Sequence, residues 1–248
     1  MAAPKRDIGP VVSLCWRHPG AGGLPNDYFH ATIPIVFRVG NDPIEMGLVA
    51  SFNRPGGNIT GIANLSGPVV SKRLALLHEL LPAVMIATLV NPTNPRFTEA
   101  ETRDLQAAAS VLGVRMLVLN GGTTSEIAGA FATLIEQKAG ALLISADASF
   151  NAARDQITSL AARYAMPTMF LDRASTEAGG LLSYGPDVSE VNHQVGLYAG
   201  RILRGEKPGD LPVQAPTKFS FIVNLKTAKS LGLTPPANLL ALADEVVE

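Results

Sequence analysis

Short apolar runs alternate along this chain with amphipathic stretches, and polar turns separate the two. Residues 33–37 open the series with an apolar, β-branched run of the length expected for a buried strand. A polar turn at residues 40–43 follows, and residues 58–63 alternate as a second strand would. The stretch between carries apolar residues at helical spacing: Ile44, Leu48 and Phe52. Residues 32–63 are therefore predicted to form a strand–helix–strand unit, whose polar turn lies where open α/β sheets bind ligands.

The same alternation continues to the C-terminus. Further strands are predicted over residues 85–90, 114–119, 141–146, 167–171, 180–184 and 218–223. Helices are predicted from about residues 66, 98, 123, 150 and 187, with a short helix to 231 and a terminal helix from about 236. Capping boxes mark two helix starts, Thr98 with Glu101 and Thr123 with Glu126, and Gly113 ends the first of these helices. Such alternation predicts parallel, right-handed winding in an α/β fold.

Composition and charge narrow the function classes. Apolar residues make up 47% of the chain and charged residues 17%, which is typical of a globular α/β protein. The net charge of −1 and the scattered basic residues indicate no binding to nucleic acid or to an anionic membrane. Cys15 is the single cysteine, so neither an internal disulfide nor a thiolate metal site is expected. No stretch approaches the roughly 18 apolar residues of a membrane span.

Residues 1–31 are predicted to form an irregular leader, because glycines and prolines interrupt them and no hydrophobic period appears. Their apolar residues around Cys15 are too few for a signal peptide and end at Arg17, so no export signal is recognised. Residues 20–22 start like a dinucleotide-binding fingerprint, but Pro25 stands where the third glycine is required. The dinucleotide interpretation is therefore disfavoured.

Polar side chains gather where the predicted strands end. A binding site for a small solute is predicted from seven residues: Asp42, Asn91, Asn94, Asp147, Phe150, Arg173 and Tyr184. Carboxylates suit an ammonium group and arginine suits a carboxylate, so the set indicates a small polar or zwitterionic ligand between aromatic walls. The alternative is turn and cap chemistry, because Asp and Asn favour these positions without any ligand.

Catalytic motifs are missing from the sequence. The four histidines (His18, His30, His78 and His193) are far apart and show no metal-ligand spacing. Neither a nucleophile elbow nor a phosphate-binding loop is present. We therefore expect no enzyme activity, no cofactor and no metal.

Five segments resemble one family: IPIVFRVGNDPIEMGLVASFNRPGGNITGI, KRLALLHELLP, LVNPTNP, EAGGLLSYGPD and LPVQAPTKFSFIVNLKTAKSLGLTPP. Together they are similar to the ABC-transporter substrate-binding proteins of the tryptophan/tyrosine-type periplasmic component family, from about residue 32 to residue 248. The resemblance implies the type I periplasmic-binding fold, in which two doubly wound parallel-sheet lobes enclose the ligand in an interlobe cleft. It also implies a non-catalytic component of an uptake transporter that binds a small polar or aromatic amino-acid-like molecule. A permease and an ATPase are the implied partners, and the periplasm is the implied location.

The resemblance further implies how the chain divides. Residues 32–63 with 186–208 would form the first lobe, and residues 64–185 with 209–248 would form the second lobe and crossing segments. Family members carry further βα units and an export signal before the first strand, so the first lobe is expected to be incomplete, as in a truncated chain. Exposed apolar faces and an unpaired sheet edge would then favour self-association.

Two other function classes stay open. The ligand-sensing core of a LacI-type transcription regulator has the same fold but requires a DNA-binding headpiece, and residues 1–31 show no helix-turn-helix pattern. A doubly wound enzyme is the third class. Turnover of a bound molecule would distinguish the enzyme from a binding protein.

Overall fold

The computed structural model describes the backbone of Ser13–Trp16 and the residues 33–248. Contacts divide these residues into two compact units. Unit 1 comprises Ser13–Trp16 with residues 33–64 and 189–216. Unit 2 comprises residues 65–188 and 217–248.

Regular elements fill most of the described chain. The strands are β1 Ser13–Trp16, β2 Ile35–Val39, β3 Ile59–Ala63, β4 Ile86–Val90, β5 Met116–Asn120, β6 Ala141–Ile144, β7 Thr168–Phe170, β8 Leu182–Pro186, β9 Phe219–Asn224 and β10 Glu245–Val247. The helices are α1 Ser66–Leu80, α2 Pro95–Leu112, α3 Thr124–Glu136, α4 Ser149–Ala152, α5 Arg154–Arg163, α6 Arg173–Glu177, α7 Val188–Leu203, α8 Leu225–Ser230 and α9 Ala237–Ala241. The α/β class predicted from the alternation is confirmed. Among the helices of residues 33–248, none is both long enough and apolar enough to cross a membrane.

Unit 1 contains a sheet of three parallel strands in the order β1–β2–β3. The prediction that residues 1–31 are irregular is wrong at β1, and the rest of that prediction lies outside the described residues. A strand of four residues is stabilised by its pairing with a neighbour, here β2, and a local hydrophobic period does not record such pairing. The predicted strands at β2 and β3 are confirmed.

The helix predicted over Ile44, Leu48 and Phe52 is wrong. Residues 43–47 form turns, in which Met46 N–H donates to the Asp42 carbonyl at 3.0 Å. Gly47 has a φ of 71°, outside the right-handed helical region, so the turn does not propagate. Ile44 is 43% exposed, whereas Leu48 is buried. A loop therefore joins the parallel strands β2 and β3.

The segment 209–216 packs within unit 1, whereas the predicted division grouped it with the second lobe and the crossing segments. Gln214 forms a parallel bridge with Ile62 of β3, and Val213 N–H donates to the Phe52 carbonyl at 2.7 Å. The Tyr198 hydroxyl of α7 donates to the Pro212 carbonyl at 2.6 Å. The bridge supplies partners at the β3 edge of the three-stranded sheet, and the other two bonds hold the segment to Phe52 and to α7.

Unit 2 contains a sheet of seven strands in the order β10–β9–β8–β7–β6–β4–β5. All neighbouring pairs are parallel except β8 with β9. The predicted parallel winding is therefore confirmed for every neighbouring pair of this sheet except β8 with β9. The chain between β8 and β9 runs through unit 1, so it is not a crossover within one sheet, and the rule for parallel crossovers does not apply to it.

Apolar side chains cover both faces of this sheet. Successive residues of β6 point to opposite faces, as the strand period requires. Leu143 belongs to a core cluster with residues of α1, α2 and α9, and Leu142 belongs to a second cluster with residues of α3 and α5. The sheet thus has helices packed on both sides.

The terminal helix predicted from about residue 236 is confirmed as α9, but it ends at Ala241, and Glu245 begins β10. The side chain of Asp244 accepts a hydrogen bond from Phe221 N–H at 2.7 Å. The helix predicted from residue 150 is divided at Ala153 into α4 and α5.

The start of α3 follows the predicted capping box. Thr123 accepts a hydrogen bond from Glu126 N–H at 3.2 Å, and the Glu126 carboxylate accepts one from Thr123 N–H at 3.0 Å. Because the cap satisfies helix donors, Thr123→Ala is expected to lower the free energy of unfolding by about 1 kcal/mol. Urea denaturation measures the change, and the neighbouring exposed Thr124→Ala is the control. Equal losses in both variants would contradict the capping role.

Candidate functional site

Three of the predicted site residues meet at the carboxyl edge of the unit 2 sheet. Asn91 follows β4 and Asp147 follows β6, which are neighbouring parallel strands, and Asn94 directly precedes α2. The Asp147 carboxylate accepts a hydrogen bond from Asn91 Nδ2 at 3.0 Å and another from Asn94 Nδ2 at 2.8 Å. The sequence predicted that these three side chains would lie at one edge, and the structure brings them into direct contact.

Ser149 completes this group, which we call the Asp147 cluster (Asn91, Asn94, Asp147 and Ser149). Asp147 Oδ1 accepts hydrogen bonds from Ser149 N–H at 2.9 Å and from the Ser149 hydroxyl at 2.6 Å. Asn91 Nδ2 also donates to the Ser149 hydroxyl at 3.2 Å. Asp147 is only 3% exposed, and both of its carboxylate oxygens accept bonds from the protein. The carboxylate therefore fixes the two carboxamides in place.

The turn after β4 is fixed by its own hydrogen bonds. Asn91 Oδ1 accepts from Thr93 N–H at 3.0 Å and from the Thr93 hydroxyl at 2.8 Å, and the Thr98 hydroxyl donates to the Asn91 carbonyl at 2.6 Å. The capping box predicted from Thr98 and Glu101 is wrong, because α2 begins earlier, at Pro95. Proline is favoured in the first turn of a helix, since it has no N–H that would need a partner.

The hydrogen bonds of Asp147 also set its charge. Burial acts to raise the pKa of its carboxyl group, but the hydrogen bonds donated by Asn94, Ser149 and Asn91 outweigh burial and hold the pKa below its ordinary value. The carboxylate is therefore ionised at neutral pH. Among the described residues, nothing donates to Asn94 Oδ1, so this oxygen can accept a hydrogen bond from a ligand.

This shift in pKa predicts a dependence of stability on pH. Because the folded state holds the Asp147 pKa below the ordinary 3.8, Asp147 contributes stability that is fully present above that value. The contribution is lost as the pH falls through the folded-state pKa. The free energy of unfolding, from urea denaturation, should therefore be higher for the wild type than for Asp147→Asn at pH 7. This difference should shrink towards pH 3. A difference that stays constant would contradict this account, and the exposed Asp155→Asn is the control.

Phe150 follows the cluster but lies in the core. It is buried with Ile127, Phe131 and Ile157 in the apolar cluster beneath α3 and α5. It also borders a hollow of about 610 Å³ between the start of α3 and α4. The position favours a packing role over the predicted aromatic wall.

Arg173 and Tyr184 have partners away from the Asp147 cluster. The Arg173 side chain is 53% exposed, donates to Glu177 at 2.8 Å and also pairs with Glu245. The hydrogen bonds to Glu177 and Glu245 raise its pKa. Tyr184, on β8, stacks on Phe219 with 5.8 Å between the ring centroids. These contacts account for both residues without a ligand.

Unit 1 has a polar edge of its own. Asp42 accepts a hydrogen bond from Ile44 N–H at 2.7 Å, which is the turn chemistry that the alternative interpretation predicted. Two carboxamide oxygens of unit 1, Asn41 Oδ1 after β2 and Asn64 Oδ1 after β3, are buried and find no donor among the described residues. The sequence prediction selected Asp42 and omitted these two asparagines.

A buried ion pair also escaped the sequence prediction. Arg73 of α1 is 0% exposed and Glu101 of α2 is 1% exposed, with 3.8 Å between Arg73 Nη1 and Glu101 Oε1. A signal was present, because Glu101 lies four residues after Phe97 and four before Leu105, on the buried stripe of α2. The sequence analysis assigned Glu101 to a capping box and therefore did not consider it as a buried residue. Within residues 33–248, by contrast, no three His, Cys, Asp or Glu side chains converge to hold a metal ion.

Comparison with known proteins decides the family. Residues 27–247 match the family described as ABC transporter substrate binding protein. The chain belongs to this family. The resemblance inferred from the five sequence segments is thereby confirmed.

One relative of this family member has an amino acid in its name. The chain is 25% identical over 201 residues to the "Tyrosine-binding protein" of Clostridioides difficile (strain R20291), covering 81% of this chain and 57% of that protein. It therefore spans little more than half the length of this curated relative.

Solved structures show the same fold. A conserved domain protein from Vibrio cholerae has a TM-score of 0.77 at 28% identity, covering 87% of this chain and 72% of that one. The ABC domain in complex with L-Trp from Streptococcus pneumonia has a TM-score of 0.75 at 26% identity, covering 87% of this chain and 74% of that one. Transcription regulators are also similar, but at 11–14% identity and TM-scores of 0.50–0.52, so they share the fold alone. The regulator interpretation is not favoured.

Proposed function

We propose that this chain is the solute-binding component of an ABC uptake transporter and that its ligand is an aromatic amino acid. The Asp147 cluster carries the proposal: a buried carboxylate holds two carboxamides at the carboxyl edge of a parallel sheet, where α/β proteins bind ligands. Family membership supports the transport role. A relative named for tyrosine and a related structure with L-Trp support the ligand class.

The chemistry of the cluster suits an ammonium group. Asn94 Oδ1 is an open acceptor, and the ionised Asp147 behind it gives the cluster a negative charge. Charge-assisted hydrogen bonds are stronger than neutral ones, so a ligand N–H₃⁺ is favoured over a hydroxyl at this position. A sugar offers only neutral hydroxyl donors, so it would bind to Asn94 and Asp147 less strongly than an ammonium group.

We further propose that the ligand is held without chemical change, and that a permease and an ATPase receive it from this protein. A periplasmic location fits that role. Family membership supports each of these proposals. Recovery of the unaltered ligand after prolonged incubation with the protein tests the first of them.

Thermal unfolding with candidate ligands tests the proposal. A ligand that binds only the native state raises the unfolding temperature, by an amount that grows with its concentration relative to Kd. We expect L-tryptophan or L-tyrosine to raise it, and L-alanine and D-ribose to leave it unchanged. A shift with ribose and with no amino acid would overturn the proposed ligand class.

A further inference from the structure

We propose that Arg73 and Glu101 are positioning residues for ligand binding: their buried pair fixes the carboxyl end of β6, which sets where Asp147 meets Asn91 and Asn94. The proposal rests on the proposed function, because it takes the Asp147 cluster as the ligand-binding site. Neither residue belongs to the Asp147 cluster itself.

Glu101 holds the residues that directly precede Asp147. Its Oε2 accepts a hydrogen bond from the Ser145 hydroxyl, and its Oε1 accepts one from Ala146 N–H at 3.0 Å. Asp147 N–H in turn donates to the Ser145 hydroxyl oxygen at 3.4 Å. The path of the chain from the end of β6 to Asp147 is therefore set by one carboxylate on α2.

Arg73 of α1 also binds the carboxyl end of β6. Its Nη2 donates to the carbonyl of Ile144, the last residue of β6, and to the carbonyl of Met169 in the neighbouring strand β7 at 3.2 Å. The guanidinium thus connects the end of β6 to the middle of β7, and its charge faces Glu101. A lysine would carry the charge but lacks the planar fork that places several N–H donors at once.

Helix α2 connects the ion pair to the cluster. Asn94 stands at its N-terminus and bonds the Asp147 side chain, while Glu101 lies further along and bonds the chain just before Asp147. The helix therefore holds Asp147 through both its side chain and its preceding backbone. A shift of β6 relative to α2 would move Asp147 away from Asn94.

The ion pair is not expected to add much to the free energy of unfolding. Arg73 Nε and Nη1 have no hydrogen-bond partner among the described residues, and burial lowers the Arg73 pKa to about 10 and raises the pKa of Glu101. Desolvation of two charges commonly offsets their attraction, so an apolar pair of similar size is often as stable. The backbone bonds of both side chains, which an apolar pair cannot make, give the ion pair its positioning role.

The double variant Arg73→Met/Glu101→Leu separates positioning from stability. It removes both charges together, so the midpoint of urea unfolding is expected to fall by less than in Glu101→Leu alone, although the backbone partners of both side chains lose their hydrogen bonds. The Kd for L-tryptophan, from calorimetry, is expected to rise about tenfold or more, because partners behind a binding group commonly have effects of this size. The control is Ile86→Ala, a fully buried residue at the opposite end of β4. It should lower the midpoint and leave Kd unchanged.

Amide hydrogen exchange gives a second readout that does not need a ligand. In the double variant, exchange at Ala146 should accelerate relative to exchange at Leu143 within β6, because Ala146 N–H loses its acceptor. An unchanged Kd in the folded double variant overturns the proposal, and so does unchanged relative exchange at Ala146. If the double variant does not fold, Ser145→Ala removes one bond to Glu101, and an unchanged Kd in that variant overturns it equally. Failure of the wild type to bind any amino acid refutes the proposed function, while the exchange comparison still decides the positioning role.

Discussion

Glu101→Leu is expected to lower the free energy of unfolding by about 3–5 kcal/mol, the largest loss of stability that we predict for a single substitution. The reason is the charge left behind. Arg73 is fully buried, and without Glu101 its guanidinium loses the carboxylate that lies 3.8 Å away and cannot reach water. Ser145 and Ala146 lose an acceptor in the same step. Urea denaturation at pH 7 measures the change.

The matched control is Glu99→Leu on the same helix. Glu99 is exposed, so its substitution should change the free energy of unfolding by about 0.5 kcal/mol or less. Adding Arg73→Met to Glu101→Leu should restore part of the lost stability, because the uncompensated charge is then removed while the lost hydrogen bonds are not replaced. A loss below about 1 kcal/mol in Glu101→Leu, or no recovery in the double variant, would show that the charge on Arg73 is not confined as the structure indicates.

Asp147→Ala is expected to weaken L-tryptophan binding about 100-fold, equivalent to about 2.7 kcal/mol. Two effects add. The ligand ammonium loses the negative charge behind Asn94, and the Asn91 and Asn94 amides lose the acceptor that orients them. Titration calorimetry measures Kd for the wild type and the variant.

Two controls sharpen this second experiment. Asp155→Ala removes an exposed carboxylate from α5 and should leave Kd unchanged. Indole-3-propionate has the indole ring and carboxylate of tryptophan without its ammonium, so its weaker binding should respond less to Asp147→Ala. An effect below threefold on tryptophan, or an equal effect on both ligands, would show that Asp147 does not serve the ammonium group.

Local signals predicted local structure well. The Thr123–Glu126 box capped α3 because all of its hydrogen bonds lie within one turn of the helix. The same pattern at Thr98 and Glu101 failed, because Pro95 starts α2 earlier and Glu101 points to Arg73 on another helix. A rule based on residue spacing within one helix does not predict a partner that is distant in sequence.

Features set by tertiary contacts were the ones that the sequence prediction missed. The strand β1 depends on β2, and the antiparallel β9 depends on the passage of the chain through unit 1. At the predicted site, Asn91 and Asp147 came together because they follow neighbouring parallel strands. Arg173 and Tyr184 have partners on β10 and β9, and the pattern of strands and turns gave no register for those partners.

The most direct test of the central claim is an NMR titration of ¹⁵N-labelled protein with L-tryptophan. The claim is that an aromatic amino acid binds at the Asp147 cluster. We predict saturable shifts of the side-chain amide signals of Asn91 and Asn94, with no shift for the exposed Asn238 on α9. Saturable binding that leaves the Asn91 and Asn94 signals unchanged would contradict the claim.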